Sequence, residues 1–233
     1  MLFQEDRIAW QSRAGQRLDQ FARALPAAPR LLINVFGSAP IQLFVDSSFL
    51  SADIDLFGSE EVYEFLLKFV AEQNWTQDKA DFYIQVCDPL AFRSTSDWET
   101  RALTVERHGH QFRFVHPWDV LVSKLQRLEE KDLEAFKLVI AKTGHPTEVE
   151  FKRHLQKAVD LYRPKFDEET ARGDMLMNTK ILWQALWNKE IDVRAEIIRP
   201  ALERVRHDYD AGDPALKTRL ANLKLPGQET PDT

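Results

Sequence analysis

The chain has 233 residues, 44% of them apolar and 29% charged, with a net charge of −6; this supplies a buried core and excludes a globally disordered chain. The acidic balance excludes a surface that is basic throughout, so any nucleic-acid contact is confined to a local strip. A single cysteine, Cys87, excludes an intramolecular disulfide and a cysteine-built zinc site and points to the cytoplasm, while the absence of a signal-like or membrane-length apolar stretch argues against membrane association.

Leu18, Phe21, Ala22 and Leu25 recur at helical spacing before Pro26, which predicts a helix over residues 5–25. Residues 31–36 form an apolar run closed by Gly37, as a buried strand does, with a brief helix at 39–44 behind it. Residues 53–57 alternate acid and apolar side chains, the pattern of a half-buried strand. Residues 60–73 place Val62, Phe65, Leu66, Phe69 and Val70 on one helix face after a cap at Ser59. Strand composition returns at 82–87, 102–106 and 112–115, with a turn at His108-Gly109-His110.

From Pro117 onward the pattern is helical, with further helices expected near 131–143, 147–162, 176–188 and 192–209. The fold class is therefore α+β: a mixed sheet flanked by helices over residues 1–116, an all-helical part over 117–224, and a disordered tail at 225–233.

On a strand, Asp53 and Asp55 share one face while Ile54 and Leu56 fill the other. Two close carboxylates repel unless a cation neutralises them, and hard oxygen ligands suit Mg²⁺ or Mn²⁺. Gly37-Ser38, at the end of an apolar run, lets backbone N–H groups approach a phosphate and adds a hydroxyl. Each feature has a plainer reading: an acid pair can be a solvated edge or an Asx turn, and a glycine can simply close a strand. Their conjunction points to a nucleotide site.

Val35-Phe36-Gly37-Ser38, a gap of fourteen residues, then Asp53-Ile54-Asp55-Leu56 resembles the signature of the nucleotidyltransferase-like superfamily. The segment from His116 to Leu125, followed by Arg127 and Lys131-Asp132, is similar to the motif after the catalytic sheet in the abortive-infection type IV toxin nucleotidyltransferases. That resemblance implies a nucleotide site lined by Lys124, Arg127 and Lys131, which share a face if one continuous helix carries them. It also implies a third acid on a neighbouring strand, for which Asp88 is the candidate and Asp81 and Asp97 are poorer ones. The implied ligand set is Asp53, Asp55 and Asp88 around Mg²⁺ or Mn²⁺. The implied substrate is a nucleoside triphosphate, with an RNA end or protein side chain as acceptor and an antitoxin as partner.

Against this stand simpler roles. Lys124, Arg127 and Lys131 equally suit a solvated face paired with Glu129, Glu130 and Glu134. Asp88 suits a turn, Cys87 an inert buried thiol, His116 a cap, and Trp183 with Trp187 a helix contact. A noncatalytic protein that keeps the fold and binds a nucleotide or partner is the alternative function, and an interaction protein working through its helical part is a third.

Overall fold

The computed structural model describes residues 3–49, 51–76, 82–159, 175–210 and 212. Asp81, the far end of the helix expected at 147–162 and the tail expected at 225–233 lie outside them. Strand β1 (Leu32–Phe36) sits at the centre of a mixed sheet with β2 (Asp53–Phe57), β3 (Tyr83–Val86), β4 (Leu103–Arg107) and β5 (His110–Phe114). The order is β3-β2-β1-β5-β4. β1 runs antiparallel to β2 and parallel to β5; β2 runs parallel to β3, and β4 antiparallel to β5.

The β4–β5 turn is tighter than expected. His108 (φ 48°) and Gly109 (φ 85°) both adopt the left-handed region, the two-residue geometry that matches strand twist, so His110 belongs to the strand. There its Nδ1 accepts from the Leu31 N–H, and His108 meets Asp19.

The two faces of the sheet differ. Ile33, Val35, Ile54, Leu56, Ile84, Val105, Phe112 and Phe114 form one apolar layer with helices α1 (Arg13–Ala24) and α3 (Glu60–Glu72). Helix α1 is shorter than its periodicity suggests, because residues 5–7 make a separate 3-10 turn. The chain then folds back over Gly15, where a Cβ would collide with the backbone of Ala9 and Trp10. Ser12 caps α1 by accepting from the Gly15 N–H, as an N-cap serine does.

Phe36 and Phe57 point to the other face. They join Phe92 and the helical region in a second core that includes Phe136, Phe151, Trp183 and Ile197. That region comprises α4 (Pro117–Lys124), α5 (Glu130–Thr143), α6 (Glu148–Ala158), α7 (Met175–Trp187) and α8 (Arg199–Asp210), the last entered through a π turn at Arg194–Ile198. His116 caps α4 by accepting from the Trp118 N–H at 3.2 Å, and Trp183 is fully buried and packs on Trp187, both as expected. Apolar packing is continuous across residue 116, from the sheet into α4–α7.

A buried polar knot fastens the same junction. Asp119 on α4 is fully buried and accepts from Ser94, Thr95, Arg101 and His154. Burial opposes its ionisation, yet the hydrogen bonds from His154 and Arg101 prevail and hold the carboxyl well below the usual carboxylate range. Replacing Asp119 by Ala removes the common acceptor of four donors, so a loss of about 3–5 kcal/mol is expected, read as a lower urea midpoint. The sign with pH follows from the depressed folded-state value. The contribution is complete above the ordinary Asp range and is lost as pH falls below it, so the gap between wild type and variant narrows in acid.

Candidate functional site

The β1–β2 register sets Phe36 opposite Asp55, which brings the end of β1 against the start of β2. Gly37 follows with φ 63°, and a Cβ built there would fall onto the Asp55 carboxylate, 2.7 Å from its Cγ. Only glycine meets both demands, a left-handed backbone and a carboxylate packed where any side chain would begin. Ser38 begins the short helix α2 (Ala39–Phe44), and its hydroxyl does not cap that helix. Gly37→Ala is expected to destabilise the protein by about 1–3 kcal/mol through strain and clash. It should also displace Asp55, so its melting temperature should be less sensitive to added Mg²⁺ than that of wild type.

Alternation along β2 puts Ile54 and Leu56 in the core and leaves Asp53 and Asp55 half-buried on the opposite face. Ser51 donates to Asp53 Oδ1 at 3.1 Å and Tyr83 Oη donates to Asp53 Oδ2 at 3.3 Å. Burial first, and then the like charge of Asp53, pushes Asp55 up to about 6. The thiol of Cys87 and the charges of Lys124 and Arg127 oppose that rise without cancelling it.

Lys124 and Arg127 reach this neighbourhood by a route that the helix periodicity did not show. Helix α4 ends at Lys124, Leu128 takes a positive φ of 44°, and α5 starts at Glu130, so no continuous helix carries Lys124, Arg127 and Lys131. The fully buried Asp132 gathers the first two instead. It accepts from Lys124 Nζ at 2.7 Å, from Arg127 Nε at 3.1 Å and from the Glu129 N–H at 3.1 Å. Lys131 turns to Glu129 at 3.2 Å on the exposed side of the same turn. Asp132 is thus the organiser of the basic pair, with acid and bases converging from two helices across a bend.

On the opposite flank, β3 runs parallel to β2 with Tyr83 level with Asp53 and Gln85 level with Asp55. The next residue on that face is Cys87, whose Sγ lies 3.7 Å from Asp55 Oδ1. Cys87 is only partly buried, which corrects the expectation of an inert core thiol: the strand parity that keeps Ile84 in the core turns residue 87 toward the acids. Asp88 is exposed, one residue past this face, where the chain enters a 3-10 turn at Pro89–Ala91. Asp97 is engaged elsewhere, by Arg101 and Lys157.

Residues 16–141, over half of the chain, match the family described as "Nucleotidyltransferase of unknown function (DUF6036)". The chain belongs to this nucleotidyltransferase family. The matched span runs from α1 through α5 and contains Gly37, Asp53, Asp55, Lys124, Arg127 and Asp132. Searches of curated proteins and of solved structures found no match. No helix among the described residues is long and apolar enough to cross a membrane.

Nucleotidyl transfer depends on divalent ions that bridge phosphate oxygens, so the fit of such an ion to this family member can be tested on its donors. Among the described residues, no group of three or more His, Cys, Asp and Glu side chains is arranged to hold a metal ion. Asp53 and Asp55 alone suit Mg²⁺, which is commonly held by one or two carboxylates with water and substrate phosphates completing its shell. The raised Asp55 marks a place where added positive charge is favourable, and its carboxylate packs directly onto the Gly37 backbone. The donor set fits.

Proposed function

We propose that the chain is a metal-dependent nucleotidyltransferase that moves a nucleotidyl group from a nucleoside triphosphate to an acceptor hydroxyl. Asp53 and Asp55 would hold Mg²⁺ or Mn²⁺, which supplies charge neutralisation at the phosphates. Gly37 and Ser38 lie where the triphosphate backs onto β1, and Lys124 and Arg127 balance its charge from the α4–α5 bend. The acceptor oxygen attacks the α-phosphorus and pyrophosphate leaves in line. The observation that carries this reading is the packing of the Asp55 carboxylate directly onto Gly37, which brings the glycine-serine bend against an acid that burial and Asp53 make reluctant to ionise alone.

The acceptor is an RNA end or a protein side chain, and likeness of the 116–132 segment to the abortive-infection toxins adds an antitoxin partner in the cytoplasm. The acidic net charge restricts an RNA contact to the basic bend. The test is incubation of the pure protein with Mg²⁺, each α-labelled triphosphate, and cell RNA and protein. Label transfer that disappears in Asp53→Asn and Asp55→Asn is the expected result; Lys131→Ala, which alters an exposed residue, should retain it.

The two-carboxylate donor set, with Asp88 exposed beyond the strand, favours one second reading: a noncatalytic member that binds the nucleotide. Nucleotide binding without transfer, unaltered by either Asp→Asn change, would select it.

A further inference from the structure

We propose that Tyr83 is a positioning residue of the acid pair: its phenol hydroxyl holds the Asp53 carboxylate in the orientation in which that acid meets a divalent cation. The proposal rests on the nucleotidyltransferase reading of Asp53 and Asp55, and it adds a residue that touches neither the ion nor the triphosphate.

The two acids are fixed by different means. Asp55 is held by packing, with its carboxylate seated on the Gly37 backbone. Asp53 is the first residue of β2, and hydrogen bonds hold its carboxylate, from Ser51 to Oδ1 at 3.1 Å and from Tyr83 Oη to Oδ2 at 3.3 Å. The single proton of Ser51 has two acceptors, and the nearer is the Asp53 carbonyl at 2.9 Å. Ser51 therefore mainly shapes the entry to β2, whereas Tyr83 directs its proton to the carboxylate itself.

The backbone aims the phenol. Tyr83 is level with Asp53 in the parallel β2–β3 ladder, and its N–H donates to the Ala52 carbonyl at 3.2 Å, so both side chains leave the sheet on the same face. An ionised carboxylate only accepts, and each of its oxygens has two lone pairs. Oδ2 can thus take the phenol proton and still face a cation. Groups that hydrogen-bond a metal-binding carboxylate orient it and strengthen its hold on the ion.

Tyr83→Phe keeps the ring and removes the hydroxyl. Mn²⁺ binding by the pure protein, followed as loss of the free-ion spin-resonance signal, is expected to weaken by about tenfold, the lower end of what such a loss costs. The urea midpoint without metal should match that of wild type. Raising Mg²⁺ should restore label transfer, and KM for the triphosphate at saturating Mg²⁺ should be unchanged, because Tyr83 acts through Asp53 and the cation. Wild-type Mn²⁺ affinity in Tyr83→Phe, with binding lost in Asp53→Asn, overturns the proposal and leaves the acid pair as a cation site. A weakened affinity matched by a lowered urea midpoint also overturns it, since the hydroxyl would then hold the strands together and not the acid. Failure of wild type to bind Mn²⁺ sinks the acid-pair reading itself, and this proposal with it.

Discussion

Asp55→Asn should make the metal-free protein more stable at pH 8 while abolishing label transfer. In the folded chain burial and the adjacent Asp53 raise this carboxyl to about 6, so between the ordinary Asp range and that value the folded state binds more protons than the unfolded one. Stability therefore falls as pH rises through this window, and above it the full penalty of the ionised acid remains, about 3 kcal/mol. Asparagine carries no charge and retains the shape, so a gain of about 1–3 kcal/mol is expected, or roughly 2–10 °C in melting temperature. The gain should shrink below pH 5, where the wild-type acid is already protonated. Added Mg²⁺ stabilises wild type by mass action and should leave the variant where it was. Scanning calorimetry of both proteins at pH 4.5 and 8, with and without Mg²⁺, checks each part; a variant less stable than wild type at pH 8 would show that Lys124 and Arg127 already neutralise the acid.

What the sequence disclosed about this site depended on the period of the structure involved. Alternation along β2 is local, so the shared face of Asp53 and Asp55 was legible from five residues. The sheet and its flanking helices followed from the same local periods, and cap signals at Ser59 and His116 placed two helix starts. The approach of Gly37 to Asp55 was expected only as a conjunction of motifs, since antiparallel pairing between strands separated by α2 leaves no local trace. The α4–α5 region was misjudged because Lys124, Arg127 and Lys131 fit one helical face numerically, while the bend at Leu128 depends on a positive φ that no glycine or proline announces. The role of Asp132 was readable in part, as an acid in the first turn of a helix; its three donors required the bend. Cys87 was missed because lone thiols are usually core residues, and only the β3 register shows which face it takes.

Lys124→Met should cost about 3–5 kcal/mol, because it leaves the fully buried Asp132 without its shortest donor. The remaining bonds from Arg127 and the Glu129 N–H do not replace a buried ammonium, and Arg127 is itself partly exposed. Burial alone would raise Asp132, whereas Lys124 first and Arg127 second hold it below its ordinary value, so the variant should unfold at a higher pH in acid titration than wild type does. Lys124→Met combined with Asp132→Leu removes both charges at once and should recover most of the loss, since an apolar pair of similar volume tolerates burial better than a stranded carboxylate. This double change separates two roles that the single change confounds. If Lys124 serves only to neutralise Asp132, the double variant regains triphosphate affinity together with its urea midpoint. If the pair holds positive charge toward the phosphates beside Asp55, stability returns and affinity does not, and the second outcome is expected because the field of Lys124 and Arg127 already reaches that carboxylate.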